Sequence, residues 1–152
     1  MPTDEMKKWP PLTEAGDLPA GIHGATLAEV IERFGQGTPR RVTLGRRLQH
    51  IYQLLQQTGC VARFILFGSF ITEKPEPNDV DIFLLMEDTF DVSRVVGEPA
   101  VLFDHLAAQN FAGASIFWLR RLAVLDGEQA AVEHWQLKRG GGRRGIVEIT
   151  KA

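Results

Sequence analysis

Two carboxylates one residue apart, Asp79 and Asp81, follow a Gly68-Ser69 pair with nine residues between. Residues two apart on a strand point to one face, so the spacing sets Asp79 and Asp81 side by side while Val80, Ile82 and Leu84 face the other way. Two negative charges that close repel unless a cation sits between them. With hard oxygen ligands and no Cys or His nearby, the expected cation is Mg²⁺ or Mn²⁺. Gly68 lets the backbone approach a ligand closely, and the Ser69 hydroxyl with free N–H groups at a turn start makes a phosphate cradle. Cradle and metal pair together are the equipment of phosphoryl or nucleotidyl transfer. In that chemistry the metals orient a triphosphate, stabilise the departing pyrophosphate and lower the pKa of an attacking hydroxyl.

These groups need rigid elements beneath them. Residues 61–67, β-branched and aromatic, predict a strand that ends at Gly68-Ser69, and 79–86 predict a second. Residues 114–119 and 146–149 supply two more strands. Thr26 and Glu29 have capping-box spacing, which predicts a helix over 27–34 stopped by Gly35. A second helix over about 41–58 follows from the stripe Leu44, Leu48, Ile51, Tyr52, Leu54 and Leu55, with Gly59 as its stop. Further helices are expected over 99–109, with Val101, Leu102, His105 and Leu106 inward, and over 127–138. Residues 1–25 carry Pro2, Pro10, Pro11 and Pro19 without helical or strand period, so they form an extended arm that Trp9, Leu12, Leu18 and Ile22 could pin down. The order of elements indicates a single α+β domain over 26–152, a mixed sheet packed with helices.

At 152 residues the chain has room for one domain with its own core and not for two domains with a cleft between them. The single Cys60 excludes an internal disulfide framework and any Cys-based zinc knuckle, and in its apolar context it is a small buried hydrophobe. No run reaches the roughly 18–20 apolar residues of a membrane span, and the start Met1-Pro2-Thr3-Asp4-Glu5 is unlike a signal peptide, so no membrane partner and a cytoplasmic location are expected. The net charge of −2 hides an uneven distribution. From Glu73 to Asp104 nine acids face two bases, whereas from Arg120 onward seven bases face four acids. An acidic middle beside a basic end suits cations held together with a polyphosphate.

The run of apolar strand, Gly68-Ser69 and then Asp79-Val80-Asp81 on a second strand resembles the DNA polymerase β-like nucleotidyltransferase superfamily, and the short chain is similar to its minimal members. More closely, Phe67-Gly68-Ser69-Phe70-Ile71-Thr72, Lys74-Pro75-Glu76-Pro77-Asn78-Asp79-Val80-Asp81, the arm Leu18-Pro19-Ala20-Gly21-Ile22-His23 and the ending Arg144-Gly145-Ile146-Val147-Glu148 resemble a poorly characterised bacterial group of such proteins. The resemblance covers most of the chain. It implies that Gly68 and Ser69 hold nucleotide phosphates, that Asp79 and Asp81 bind the metals, and that a nucleoside monophosphate passes from an NTP, expected to be ATP, to a hydroxyl. The acceptor would be a small molecule, a protein or an RNA end. A third carboxylate usually sits on the next central strand as metal ligand and base, and the matching position here is Ser115. Asp104, Asp126 and Glu148 are the available substitutes. Glu148, between Val147 and Ile149, has the best strand context, although an exposed edge-strand position is the commoner meaning of such a residue.

Bland readings accompany several other residues. Arg63, Lys74 and the 139–144 loop could grip phosphates, but exposed charge is the usual outcome. His23, His50, His105 and His134 have no metal-ligand spacing and are expected to be structural, and Trp118 and Trp135 to pack in the core. Two functional readings follow. One is the metal-dependent nucleotidyltransferase. The other is a weak or inactive nucleotidyltransferase fold serving as a nucleotide-binding or interaction module, for example in a toxin–antitoxin or defence pair. Minimal members often work with a helical partner protein, which this chain does not contain.

Overall fold

A computed structural model describes residues 7–151; residues 1–6 of the expected arm, Pro2 among them, and Ala152 lie outside the described residues. Five strands make one sheet in the order β1-β5-β2-β3-β4. They are β1 (Ile22–Thr26), β2 (Val61–Phe67), β3 (Val80–Met86), β4 (Ala114–Arg120) and β5 (Ile146–Thr150). β1 runs parallel to β5 and β3 parallel to β4, while β2 is antiparallel to both of its neighbours. The architecture is therefore a mixed α+β sheet in one small domain, as the order of elements indicates.

Helix α1 (Leu27–Phe34) opens on a complete capping box: the Glu29 N–H donates to Thr26 Oγ1 at 3.2 Å and the Thr26 N–H donates to Glu29 Oε1 at 2.8 Å. Helix α2 (Pro39–Gln56) starts with Thr38 as N-cap and Pro39 in the first turn, where the missing N–H costs nothing. Its buried stripe of Leu44, Leu48, Ile51, Leu54 and Leu55 packs with Phe34, Phe64, Leu66, Ile82 and Leu84 into the main core on one sheet face. The opposite face carries a smaller cluster of Ile65, Phe83, Leu85, Val132 and Ile146. β3 is covered on both faces, which is why its sequence is nearly continuously apolar and why Asp81 is conspicuous within it.

Three segments depart from the sequence reading. The end of the arm is β1, an edge strand; Ile22-His23-Gly24-Ala25-Thr26 has little strand propensity, and pairing with β5 imposes the conformation. The expected helix over 99–109 is a 3₁₀ segment Glu98–Phe103, one α-turn His105–Ala107 and a π-turn Ala108–Ala112. Asp104 breaks it: its backbone is extended and its side chain accepts the Ala107 N–H at 3.0 Å, starting a new turn. The expected helix over 127–138 is α-helical only over Glu128–Glu133 and 3₁₀ over His134–Gln136, after which Leu137 bridges to Arg143. No helix among the described residues is long and apolar enough to cross a membrane.

One buried cation ties α2 to the loop after β2. Arg41, on the same stripe as Leu44 and Leu48, is 6% exposed. Its guanidinium donates to the carbonyls of Phe34 at 3.0 Å, Phe70 at 2.7 Å and Thr72 at 2.6 Å, and also to that of Lys74. Burial, with Arg33 nearby, lowers its pKa from the ordinary arginine value, and among the described residues no carboxylate pairs with it. Four carbonyl dipoles stand in for a counter-ion, and only a guanidinium has the donors to serve them all. Arg41→Ala is expected to lower the unfolding free energy in urea by about 3 kcal/mol, the scale of orphaned buried acceptors. Arg41→Lys should recover only part of that loss.

Candidate functional site

The register brings the chemistry to one end of the sheet. Phe67 is opposite Asp81 across the antiparallel β2–β3 ladder, so the Gly68-Ser69 turn leaves β2 where Asp79-Val80-Asp81 enters β3. β4 starts at the same end, with Ser115 paired to Asp81 across the parallel β3–β4 ladder. All four positions that sequence reasoning marks on these strands are thus neighbours, and Ser115 occupies the strand position beside Asp81.

Gly68 has φ +80°, and a Cβ there would collide with the Asp81 carboxylate. Glycine is needed for both the backbone angle and the close approach. Ser69 opens a 3₁₀ turn, Ser69–Ile71. The Thr72 hydroxyl closes it by donating to the Ser69 carbonyl at 2.7 Å, and Arg41 holds the carbonyls of Phe70 and Thr72. The turn is therefore held by Arg41 of α2 rather than left as a free loop.

Asp79 and Asp81 lie within hydrogen-bonding reach of one another and both are half-buried. Burial pushes the Asp81 carboxyl up to about 7; the charge of Asp79 and a hydrogen bond with it add to the rise, and Arg144 and Arg139 oppose it. Ser115 Oγ donates to Asp79 Oδ2 at 2.9 Å and accepts from Gln109 Nε2 at 3.1 Å, so Ser115 is a hydrogen-bonded support for Asp79. Among the described residues no three or more His, Cys, Asp and Glu side chains gather to hold a metal ion. Two hard carboxylates could hold a Mg²⁺ that keeps waters and takes further ligands from outside the chain. They do not form an all-protein cage.

Around these groups lies a cleft of about 870 Å³. One wall is aromatic: Trp135 packs 4.4 Å from Phe67 and 5.2 Å from Phe117, and His105 lies 4.8 Å from Phe117 between ring centroids. Lys138, Arg139 and Arg144 line the cleft as well. The expectation of purely core tryptophans holds for Trp118, packed edge-on against Phe90 and Phe103, whereas Trp135 also lines the cleft. His105 and His134 line the cleft too, while His23 contacts the Pro19 carbonyl and His50 pairs with Glu98 on the surface.

The three substitute carboxylates lie elsewhere. Glu148 is on β5, an interior strand, and forms a two-pronged pair with Arg63 at 2.9 and 2.7 Å, both side chains largely covered. It is neither an exposed edge residue nor a free base, and Arg63 is correspondingly not a phosphate ligand; the hydrogen bond to Glu148 raises the Arg63 pKa. Asp104 caps the turn at Ala107, and Asp126 is exposed away from the cleft lining. Lys74 is exposed, and its carbonyl accepts from Arg41. Sequence reasoning missed Arg41, Gln109 and Asp17. For Arg41 a signal existed, a charged residue on the apolar stripe of α2; for Gln109 and Asp17 none did.

Over residues 10–150 the chain matches, and belongs to, DUF6932, a family of unknown function. No curated protein and no solved structure matches it.

The Asp81 shift has a sign that stability measurements can read. A carboxyl whose folded pKa is raised binds its proton more tightly folded than unfolded, so its stabilisation is full below the unfolded value and is lost as pH rises through about 7. Metal-free protein should lose unfolding free energy between about pH 4 and 7 beyond the loss shown by Asp81→Asn, whose curve lacks this term. Identical slopes for the two proteins would show that Asp81 does not titrate this way.

Proposed function

We propose that this chain is a metal-dependent nucleotidyltransferase that moves a nucleoside monophosphate from an NTP, with ATP the expected donor, to an acceptor hydroxyl. The observation that carries this reading is the juxtaposition of the Gly68-Ser69 turn with Asp79 and Asp81, strand end against strand start, in a cleft large enough for a nucleotide. The resemblance of these motifs to the DNA polymerase β-like superfamily supports it.

In this reading Gly68 and Ser69 present backbone and hydroxyl donors to the phosphates, and Arg41 keeps the turn in place. Asp79 and Asp81 would hold Mg²⁺ or Mn²⁺, which when bound supplies charge neutralisation on the phosphates and polarises the reacting oxygens. Ser115, donating to Asp79, fixes one carboxylate oxygen and leaves the other for the cation. The aromatic wall of Phe117 and Trp135 gives a nucleobase a flat surface and keeps water from part of the cleft. With no third carboxylate lining the cleft among the described residues, the imidazoles of His105 and His134 are the side chains there best suited to take the acceptor proton.

One observation favours the second reading, a nucleotide-binding or interaction module without transfer, as in a toxin–antitoxin or defence pair: the neutral Ser115 stands beside Asp81 where the superfamily carries its base. A helical partner protein would fit either reading.

Calorimetric titration with a non-hydrolysable ATP analogue tests both. Wild type should bind it only with Mg²⁺ or Mn²⁺, and Asp79→Asn/Asp81→Asn should weaken binding by about a hundredfold or more, the scale of losing two charge-assisted ligands. Wild type that binds no nucleotide rejects the transferase and the nucleotide-binding module. If it binds, labelled ATP offered to RNA, protein and small-molecule acceptors separates them: label on an acceptor identifies the transferase, and none identifies the module.

A further inference from the structure

Residues 137–145 form a basic hairpin beside the cleft. Leu137 and Arg143 pair across its stem, the Lys138 N–H donates to the Gly142 carbonyl at 3.0 Å, and Gly140, Gly141 and Gly142, all at positive φ, make the tip. Its root is fastened to the N-terminal segment. Asp17, 6% exposed, accepts from Lys138 Nζ at 2.7 Å through one oxygen and faces the Arg144 guanidinium at 3.6 Å through the other. The Gly145 N–H donates to the Leu18 carbonyl at 2.8 Å, and the Gly21 N–H donates to the buried Gln136 side chain at 2.7 Å. The same segment reaches the phosphate turn, because the Glu73 N–H donates to the Gly16 carbonyl at 3.0 Å. Residues 13–18 therefore connect the exit of the Gly68-Ser69 turn to the root of the hairpin.

The ladder places the two elements in order. β5 is antiparallel to β2, with Ile65 opposite Glu148 and Leu66 opposite Val147. Beyond these pairs β2 runs out into the Gly68-Ser69 turn at the same end of the sheet at which β5 is entered from the hairpin. Asp79 and Asp81 belong to the β3 side of β2 and the hairpin to the β5 side, so the Gly68-Ser69 turn lies between the carboxylates and the cations. A phosphate chain whose first phosphate is near the carboxylates and which crosses the turn runs toward Lys138, Arg139 and Arg144. Buried Asp17 offsets part of their mutual repulsion and limits their freedom, while Arg139 has no ion-pair partner among the described residues.

We infer that the 137–145 hairpin is a second phosphate-binding element, in which Lys138, Arg139 and Arg144 take the distal phosphates of a polyphosphate chain and Asp17 is the residue that positions them. This rests on the nucleotide reading of the cleft, but its own ligand chemistry, a polyphosphate, can be probed without a nucleoside.

The test is calorimetric titration of the full chain with inorganic tripolyphosphate, with AMP, and with the Mg²⁺-loaded ATP analogue. Wild type is expected to bind tripolyphosphate, and to bind the ATP analogue at least tenfold more tightly than AMP. Lys138→Gln/Arg144→Gln should weaken tripolyphosphate and ATP-analogue binding by about tenfold or more, the scale of lost charge-assisted hydrogen bonds, and leave AMP affinity unchanged. Arg139→Gln, at an exposed tip and outside the Asp17 contacts, should lower the same two affinities without affecting the melting temperature. Asp17→Asn makes the rim more positive, so a field effect alone would tighten tripolyphosphate binding, whereas loss of positioning weakens it; weakening is expected. Unchanged tripolyphosphate and ATP-analogue affinities in the folded Arg139→Gln and Lys138→Gln/Arg144→Gln proteins, or tighter binding by Asp17→Asn, would overturn the inference. Tripolyphosphate binding that depends on these cations in a protein that ignores nucleotides supports the element and rejects the nucleotide reading; wild type that binds neither rejects both.

Discussion

Two like charges held side by side in a half-buried cleft are the constraint around which the rest of this molecule is arranged. Asp79 and Asp81 sit at the entry of β3, the strand covered on both faces, where they are half-buried in the cleft lining. Burial raises the Asp81 carboxyl, and the charge of Asp79 raises it further. The neighbours accommodate it in different ways: Gly68 makes room for Asp81 by having no Cβ, Ser115 with Gln109 behind it donates to Asp79, and Arg139 and Arg144 bring opposing charge. A protein under selection for stability alone would replace the pair by apolar residues. That the pair is kept half-buried at the entry of an otherwise buried apolar strand is the physical reason to regard this end of the sheet as a candidate site.

Two further buried charges, outside the pair, hold the loops that complete the cleft. Arg41 is solvated by four backbone carbonyls, three of them in the 70–74 segment. Asp17 receives Lys138 directly and has Arg144 nearby. In both cases a charged side chain from one element fixes the main chain or side chains of another far away in sequence, at a desolvation cost that a loop with no ordering requirement would not need. The Gly68-Ser69 turn and the basic hairpin are thereby positioned with respect to the sheet, and neither depends on the frequency with which a free loop visits one geometry.

The elements that carry their own local signal were legible in the sequence. α1 matches its capping box residue for residue, α2 follows its stripe with Thr38-Pro39 advancing its start, and β2, β3 and β4 follow from β-branched and aromatic runs, with Gly68 ending β2 and Gly113 preceding β4. The Gly68, Ser69, Asp79 and Asp81 cluster was legible because alternation on a strand is a local rule. What depends on distant partners was not. β1 exists because β5 pairs with it, and the 98–112 segment breaks into 3₁₀, α and π turns because Asp104 caps a new turn in preference to continuing the old one. Glu148 has the sequence of a strand carboxylate, but its role is set by Arg63, 85 residues away.

The substitution at Ser115 bears on what the pair can do. A third carboxylate beside Asp81 would raise the local negative charge by one and would need further cationic compensation. A serine keeps the position polar, supplies a donor where a carboxylate would supply an acceptor, and lets Asp79 be oriented by a hydrogen bond instead of by a shared metal. On the nucleotide reading this separates two capacities that a three-carboxylate site combines. Holding one cation and a polyphosphate requires only Asp79, Asp81, the Gly68-Ser69 turn and the basic rim. Removing a proton from an acceptor requires a base that Ser115 cannot be, and within the cleft that task falls to an imidazole or to the acceptor's own surroundings. On that reading binding is the property these residues would secure by themselves, and transfer the one that would depend on what is brought to them.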